Sequence, residues 1–267
     1  MSHIAETFAR LRREERRALI PFITAGDPDL ETTRALVVEL ARAGASLIEL
    51  GVPFSDPMAD GVVIQRASER ALRNGVGVAD VLSVVKDARR ETDVPVVLFS
   101  YYNPLLQYGA ARLCADAARA GVDGMLVTDL APEESVEFAA TLRAHELDLI
   151  FLVAPTSTDA RLRRIAERAS GFIYAVSRAG VTGVQNALST EAEQLVARVR
   201  AVSELPVAVG FGISKREQVA DVWRFADAAV VGSAIVSEIE KQGDSPDLVA
   251  HVGEFARGLL PSQREPA

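Results

Sequence analysis

Eight short apolar runs, each set apart from the next by residues of helical periodicity, constrain this chain more than any other feature. The runs are Leu19 to Thr24, Leu47 to Leu50, Val94 to Ser100, Gly124 to Thr128, Leu149 to Val153, Phe172 to Val176, Val207 to Phe211 and Ala228 to Val231. Unbroken and rich in β-branched residues, they read as parallel strands buried on both faces. The stretches Leu30 to Ala43, Val62 to Asn74, Val78 to Thr92, Ala110 to Ala120, Glu133 to His145, Asp159 to Ala169, Glu191 to Val202 and Lys215 to Phe225 repeat apolar residues at helical spacing. A charged amphipathic helix opens the chain within Met1 to Arg17. No Pro/Ser-rich linker or charge block interrupts the rhythm, so the pattern predicts one α/β domain over 1–267, a single (β/α)8 TIM barrel with an extra N-terminal helix. An open doubly wound sheet is the alternative that pattern alone leaves standing. Ala43-Gly44 and Ala120-Gly121 each lie between a helix and the next strand, where glycine caps a helix end. The tail Pro261 to Ala267 is expected to be disordered.

Charge and cysteine content narrow the function classes. With 29 basic and 37 acidic residues the net charge is -8, which disfavours a nucleic-acid backbone or an anionic membrane as main partner. Any phosphate site must therefore be local. Cys114 is the single cysteine, so neither an internal disulfide nor a structural zinc holds the fold, and a reducing cytoplasm fits. The first residues lack the apolar core of an export signal, and no apolar stretch reaches the ~18 residues of a membrane span.

Strand parity points to the chemistry. In Leu47-Ile48-Glu49-Leu50, Ile48 and Leu50 take the helix side, so Glu49 faces the barrel interior just before the strand ends. A carboxylate there is costly to desolvate, and strand carboxyl ends are where such barrels keep catalytic groups; a solvated strand-end charge or a partner for a buried arginine is the plainer alternative. The next loop, Val52 to Gly61, brings Asp56 and Asp60 among prolines. Asp60 can be a second catalytic carboxylate or simply the cap of the helix starting near Val62, and spacing does not separate the two; Asp56 before Pro57 can simply set a turn. Three late loops are glycine-rich: Ser177 to Gly183, Gly210 to Ser214, and Gly232-Ser233-Ala234. In such barrels these positions bring backbone N–H groups and a helix N-terminus to a phosphate. None matches a P-loop or a dinucleotide fingerprint. Aromatic residues are only 6% of the chain, yet Phe22, Phe99, Tyr101, Tyr174 and Phe211 fall near strand carboxyl ends on the inward parity, which suggests a flat apolar pocket. His3, His145 and His251 lie on helical or terminal segments and cannot form a metal trio or a Ser-His-Asp arrangement. Lys86, Lys215 and Lys241 fall on predicted helices, so no strand-end lysine offers a Schiff base. Carboxylate acid/base chemistry on a substrate with an aromatic part and a phosphate remains.

The stretch Leu47 to Gln65, LIELGVPFSDPMADGVVIQ, resembles the signature of tryptophan synthase alpha subunits, and PFITAGDP, SRAGVTG, GFGIS and GSAIV follow that family's order. The resemblance spans about Phe8 to Leu260. It implies the (β/α)8 fold, cleavage of indole-3-glycerol phosphate to indole and glyceraldehyde 3-phosphate, and a beta-subunit partner that carries pyridoxal phosphate, with no cofactor or metal in this chain. It makes Glu49 and Asp60 the catalytic pair, places Phe22, Tyr101, Thr128, Tyr174 and Phe211 around the indole, and puts the phosphate among Gly183, Gly212, Gly232 and Ser233. Met58 stands where leucine is common and Val62 where the family often has proline. An αββα assembly is expected, docking through the Pro53 to Pro57 loop and Tyr102 to Leu106, with Phe54, Leu105 and Leu106 exposed. Three alternatives stay open: another phosphate-handling barrel enzyme, such as an isomerase or the synthase that closes the indole ring; a non-catalytic regulatory subunit; and a stand-alone lyase releasing free indole.

Overall fold

The computed structural model describes residues 1–176, 185–210 and 212–261, with backbone alone for 185–189. In chain order the elements are α1 (His3–Arg13), β1 (Ala18–Thr24), α2 (Leu30–Arg42), β2 (Ile48–Gly51), α3 (Val62–Arg73), α4 (Val78–Ala88), β3 (Val96–Ser100), α5 (Tyr102–Tyr108), α6 (Ala110–Ala120) and β4 (Gly124–Val127). There follow α7 (Val136–Ala144), β5 (Asp148–Val153), α8 (Asp159–Arg168), β6 (Ile173–Val176), α9 (Gln185–Arg200), β7 (Val207–Gly210), α10 (Arg216–Trp223), β8 (Ala228–Val231), α11 (Ser233–Gln242) and α12 (Leu248–Leu259). The eight strands pair in parallel in sequence order, and β8 returns to β1 to close the barrel. The closed barrel is the architecture the pattern predicts and removes the open-sheet alternative. The expected tail beyond Pro261 lies outside the described residues.

Side-chain alternation divides the core into two layers. Leu19, Ile23, Ile48, Leu50, Val96, Leu98, Met125, Val127, Ile173 and Val209 point outward and pack with the helices. Ala18, Ile20, Leu47, Val97, Leu126, Ile150, Phe172, Ala208, Ala228 and Val230 fill the interior. Ile4, Phe8 and Leu11 belong to that interior layer too. They recur on one face of α1, whose N-cap Ser2 accepts the Ala5 amide, so this helix closes the end of the barrel opposite the strand carboxyl ends. The rings of Phe8 and Phe172 lie 5.8 Å apart there. With one end sealed by apolar packing, only the other end is open for chemistry.

Two turns follow the glycine expectation: Gly44 and Gly121 have φ of +105° and +88°, a backbone region in which a Cβ would be strained. One segment departs from it. Tyr102 to Tyr108 is a helix rather than a loop, with Pro104 in its first turn, where no intrahelical amide bond is lost. Leu105 is therefore 1% exposed and part of the core, which corrects its assignment to the surface. Only Leu106 of that pair is exposed. Phe54 is corrected in the same sense: it is half-buried, its ring 5.2 Å from that of Tyr101.

Candidate active site

Glu49 sits where parity placed it. It pairs with Phe22 of β1 and Val97 of β3 on the inward face, and it is 1% exposed. Its Oε1 finds no hydrogen-bond partner among the described residues. A charged carboxylate in such surroundings is unfavourable, and burial pushes the Glu49 carboxyl up to about 8. The carboxyl is thus neutral at pH 7. Among the described residues no arginine pairs with it, so nothing there supports reading it as a buried ion-pair partner.

Aromatic rings occupy neighbouring inward positions. Phe22 and Phe99 meet edge to face at 5.2 Å. Gly51, on the inward parity one pair beyond Glu49, makes this possible: a Cβ there would lie 2.6 Å from the Phe22 ring. Gly210 does the same for Tyr174, whose hydroxyl occupies the space a Cβ would need. Burial first, and the nearby Glu49 second, raise the Tyr174 phenol well above its usual value, so it remains a neutral hydroxyl. Two inward glycines thereby set the two rings at their depth.

Asp60 reaches the same mouth from the loop after β2. The helix-cap alternative fails: α3 begins at N-cap Gly61, which makes no side-chain cap bond. The Asp60 carboxylate instead meets the hydroxyl of Tyr101; burial pushes it up to about 6, and that hydroxyl holds it back from rising further. Tyr101 also accepts the Ala59 amide at 2.9 Å and contacts the Thr128 side chain. The loop is thus fastened to the strand-end aromatic, and the Gln65 side-chain amide donates to the Asp60 carbonyl at 2.9 Å. Asp56, by contrast, is exposed, and its carbonyl accepts the Met58 amide in a turn.

Thr24 has no place among the sequence candidates, although it shares the inward parity of Phe22. It is 2% exposed and its Oγ1 has no hydrogen-bond partner among the described residues. Two positions past Phe22 in period-two alternation was the signal that would have found it.

After β7 and β8, the α10 and α11 N-termini differ. Gln218 accepts the Ser214 and Lys215 amides at 2.8 and 3.0 Å, so α10 is capped by its own side chain. Gly232 caps α11 without a side-chain bond, and Ser233 is exposed at its first position. Orphan first-turn amides and the positive end of the helix dipole therefore face the mouth. Gly212, in the loop after β7, has φ +69°, a conformation that favours glycine. The remaining candidates, Gly183 and Phe211, lie outside the described residues.

Of the histidines, His3 pairs with Asp123 at the closed end, His145 caps α7 and His251 lies on α12. Among the described residues no three His, Cys, Asp or Glu side chains gather at metal-binding distance, and no helix is long and apolar enough to cross a membrane. Around the mouth the apolar rim is open: Met58 is 88% exposed and Val62 65%. Leu106 and Val136 are exposed on the neighbouring elements.

Comparison with known proteins reaches the same region of fold space. The family model described as tryptophan synthase alpha chain matches residues 8–259. The tryptophan synthase alpha chain of Solibacter usitatus is 50% identical over 259 residues, 97% of each chain. That of Chloroflexus aurantiacus is 48% identical over 267 residues, the whole of both chains. Among solved structures, tryptophan synthase subunit alpha from Legionella pneumophila superposes with a TM-score of 0.89 at 38% identity, covering 97% of each chain. A chain of tryptophan synthase from M. tuberculosis, in an aminoacrylate-bound form, gives 0.86 at 40% identity over 97% of this chain and 100% of that one.

Proposed function

This chain belongs to the tryptophan synthase alpha chain family, and from that premise we propose that it cleaves indole-3-glycerol phosphate to indole and glyceraldehyde 3-phosphate by a retro-aldol reaction, as a carbon-carbon lyase of tryptophan biosynthesis. The Glu49 carboxyl carries this proposal: it is buried on the inward face, unpartnered on Oε1 among the described residues, and protonated near neutrality.

The chemistry runs on two carboxyl groups held in opposite states. Glu49 donates its proton to C3 of the indole ring, and the positive charge passes to the ring nitrogen. The resulting carboxylate takes the proton of the hydroxyl on the carbon attached to C3. That oxygen's electron pair closes the aldehyde carbonyl, the bond to C3 breaks, and its electrons restore the aromatic ring. Glu49 ends protonated, as it began. Asp60, ionised above about pH 6, accepts from the indole N–H and stabilises the charge that develops there. The protonated indole is itself the electron sink, so neither a Schiff base nor a Lewis acid is needed.

Phe22, Phe99, Tyr101, Thr128, Tyr174 and Phe211 are assigned to the indole, with Gly183, Gly212, Gly232 and Ser233 for the phosphate. The exposed rim of Met58, Val62 and Leu106 supports docking of a pyridoxal-phosphate beta subunit in an αββα heterotetramer in the cytoplasm. Pyridoxal phosphate belongs to that partner.

Indole release from indole-3-glycerol phosphate by the full chain, alone and with its cognate beta subunit, tests the whole proposal. Release that accelerates on adding the partner is expected. No release under either condition overturns the activity. Full rate from the chain alone, with no association on sedimentation, would establish the stand-alone lyase instead.

Ser233→Glu tests the phosphate site. A carboxylate in the first turn is favourable for the helix itself, so α11 should keep or gain stability. The same charge repels a phosphate dianion, and glycerol phosphate affinity should fall at least about tenfold by calorimetry. Unchanged affinity would move the phosphate away from α11.

A further inference from the structure

Helix α3 begins just after Asp60, and its fully buried residues are Ala67, Ser68 and Ala71, small side chains that resist sliding poorly. Val63 and Ile64 add partly buried apolar packing near Phe22 and Val236. An ionic network supplies a directional hold besides. Arg70 Nε and Nη2 donate to the two carboxylate oxygens of Asp27 at 2.7 and 2.9 Å, while Nη1 donates to Glu240 at 2.7 Å. One helical turn earlier, Arg66 donates to both oxygens of Glu240 at 2.7 and 2.6 Å. Asp27 is 2% exposed and lies just past β1, the strand that carries Phe22 and Thr24. Glu240 lies on α11. Asn74 adds a further tie, donating to the Pro28 carbonyl at 2.7 Å.

We propose that Arg70 is a positioning residue of the reaction: by gripping Asp27 and Glu240 together it sets the axial position of α3, and with it the Asp60 loop, against the helix that offers its N-terminus to the phosphate. The inference rests on the role given to Asp60 above. A planar fork with fixed donor directions is what such a register device requires, because it opposes sliding along the helix axis as well as separation. A lysine at the same place would keep the charge without the fork. The network spans sequence separations of 43 and 170 residues, and it joins the elements that hold the indole wall, the second carboxylate and the phosphate.

The test uses the full chain with its cognate beta subunit and three variants: Arg70→Met, Arg70→Lys and Glu240→Gln. Glu240→Gln leaves the Asp27 pair intact and so guards against a variant that fails to fold. Expected are a fall in kcat of about tenfold or more for Arg70→Met, little rescue by Arg70→Lys, a smaller fall for Glu240→Gln, and glycerol phosphate affinity within about twofold of normal in all three. Normal kcat in variants whose thermal midpoint has dropped would overturn the proposal and leave a plain structural tie. Parallel losses of kcat and phosphate affinity would overturn it as well, since they signal general loosening. Asp60→Asn separates the two levels. If it is inactive while the Arg70 and Glu240 variants turn over normally, the positioning role alone is wrong; if it turns over normally, the role of Asp60 fails and that of Arg70 with it.

Discussion

Glu49→Gln is expected to cut indole release by at least about a hundredfold while glycerol phosphate still binds, because the amide keeps the shape of the carboxyl but cannot exchange a proton. The loss should fall on kcat, since the proton moves only in the transition state. The same substitution carries a stability signature of opposite sign. The folded carboxyl titrates at about 8 against an ordinary 4.5, so the native state prefers the protonated form. Its favourable contribution is complete below about pH 4.5 and is lost progressively as pH rises to about 8. At about 1.4 kcal/mol per pH unit, the loss is on the order of 5 kcal/mol once ionisation is complete. Glutamine does not ionise, so the variant should gain on the parent across that window. Thermal midpoints of both proteins from pH 4.5 to 8 measure the divergence directly. Near-normal turnover, or midpoints that run parallel with pH, would remove Glu49 from the proton-transfer role.

The barrel was legible because parallel strands buried on both faces leave continuous apolar runs, and no other element of this chain imitates them. Boundaries slipped where polar residues joined an element. Asp148 opens β5 and is only 6% exposed, with Ser2 donating to its carboxylate, although an aspartate beside an apolar run reads as a turn. Tyr102 to Tyr108 was hidden by Asn103-Pro104, a pair that signals a turn but is equally at home in the first turn of a helix. Leu105 then changed sides with it.

The site divides along the same line. Glu49, Phe22, Phe99 and Tyr174 follow from period-two alternation within a strand, and Tyr101 continues the parity of Phe99 one residue past β3, a local property. Asp60 did not, since capping and catalysis both require an aspartate just ahead of Val62, and only the course of the loop toward Tyr101 distinguishes them. The Arg70 grip was wholly invisible, because three charged residues on a turn and two helices carry no local sign of meeting.

Asp60→Asn should lower turnover by about a hundredfold, the cost of removing one preorganised charge from a developing ion. Asparagine is nearly isosteric and can still accept a hydrogen bond from the indole N–H, so the loss measures charge rather than shape. Since the Asp60 side chain does not cap α3, the thermal midpoint should change little. The pH dependence provides a second, independent mark. Activity requires Asp60 ionised and Glu49 protonated, so kcat/KM of the parent should be bell-shaped, falling below about 6 and above about 8. In the variant the acid limb has lost its group and should disappear, while the alkaline limb, set by Glu49, stays near 8. Coupling between the two is weak enough for this separation, because each owes its shift first to its own burial rather than to the other's charge. An acid limb that persists near 6 in Asp60→Asn would assign it to another group, and full turnover would return Asp60 to the loop as a structural residue.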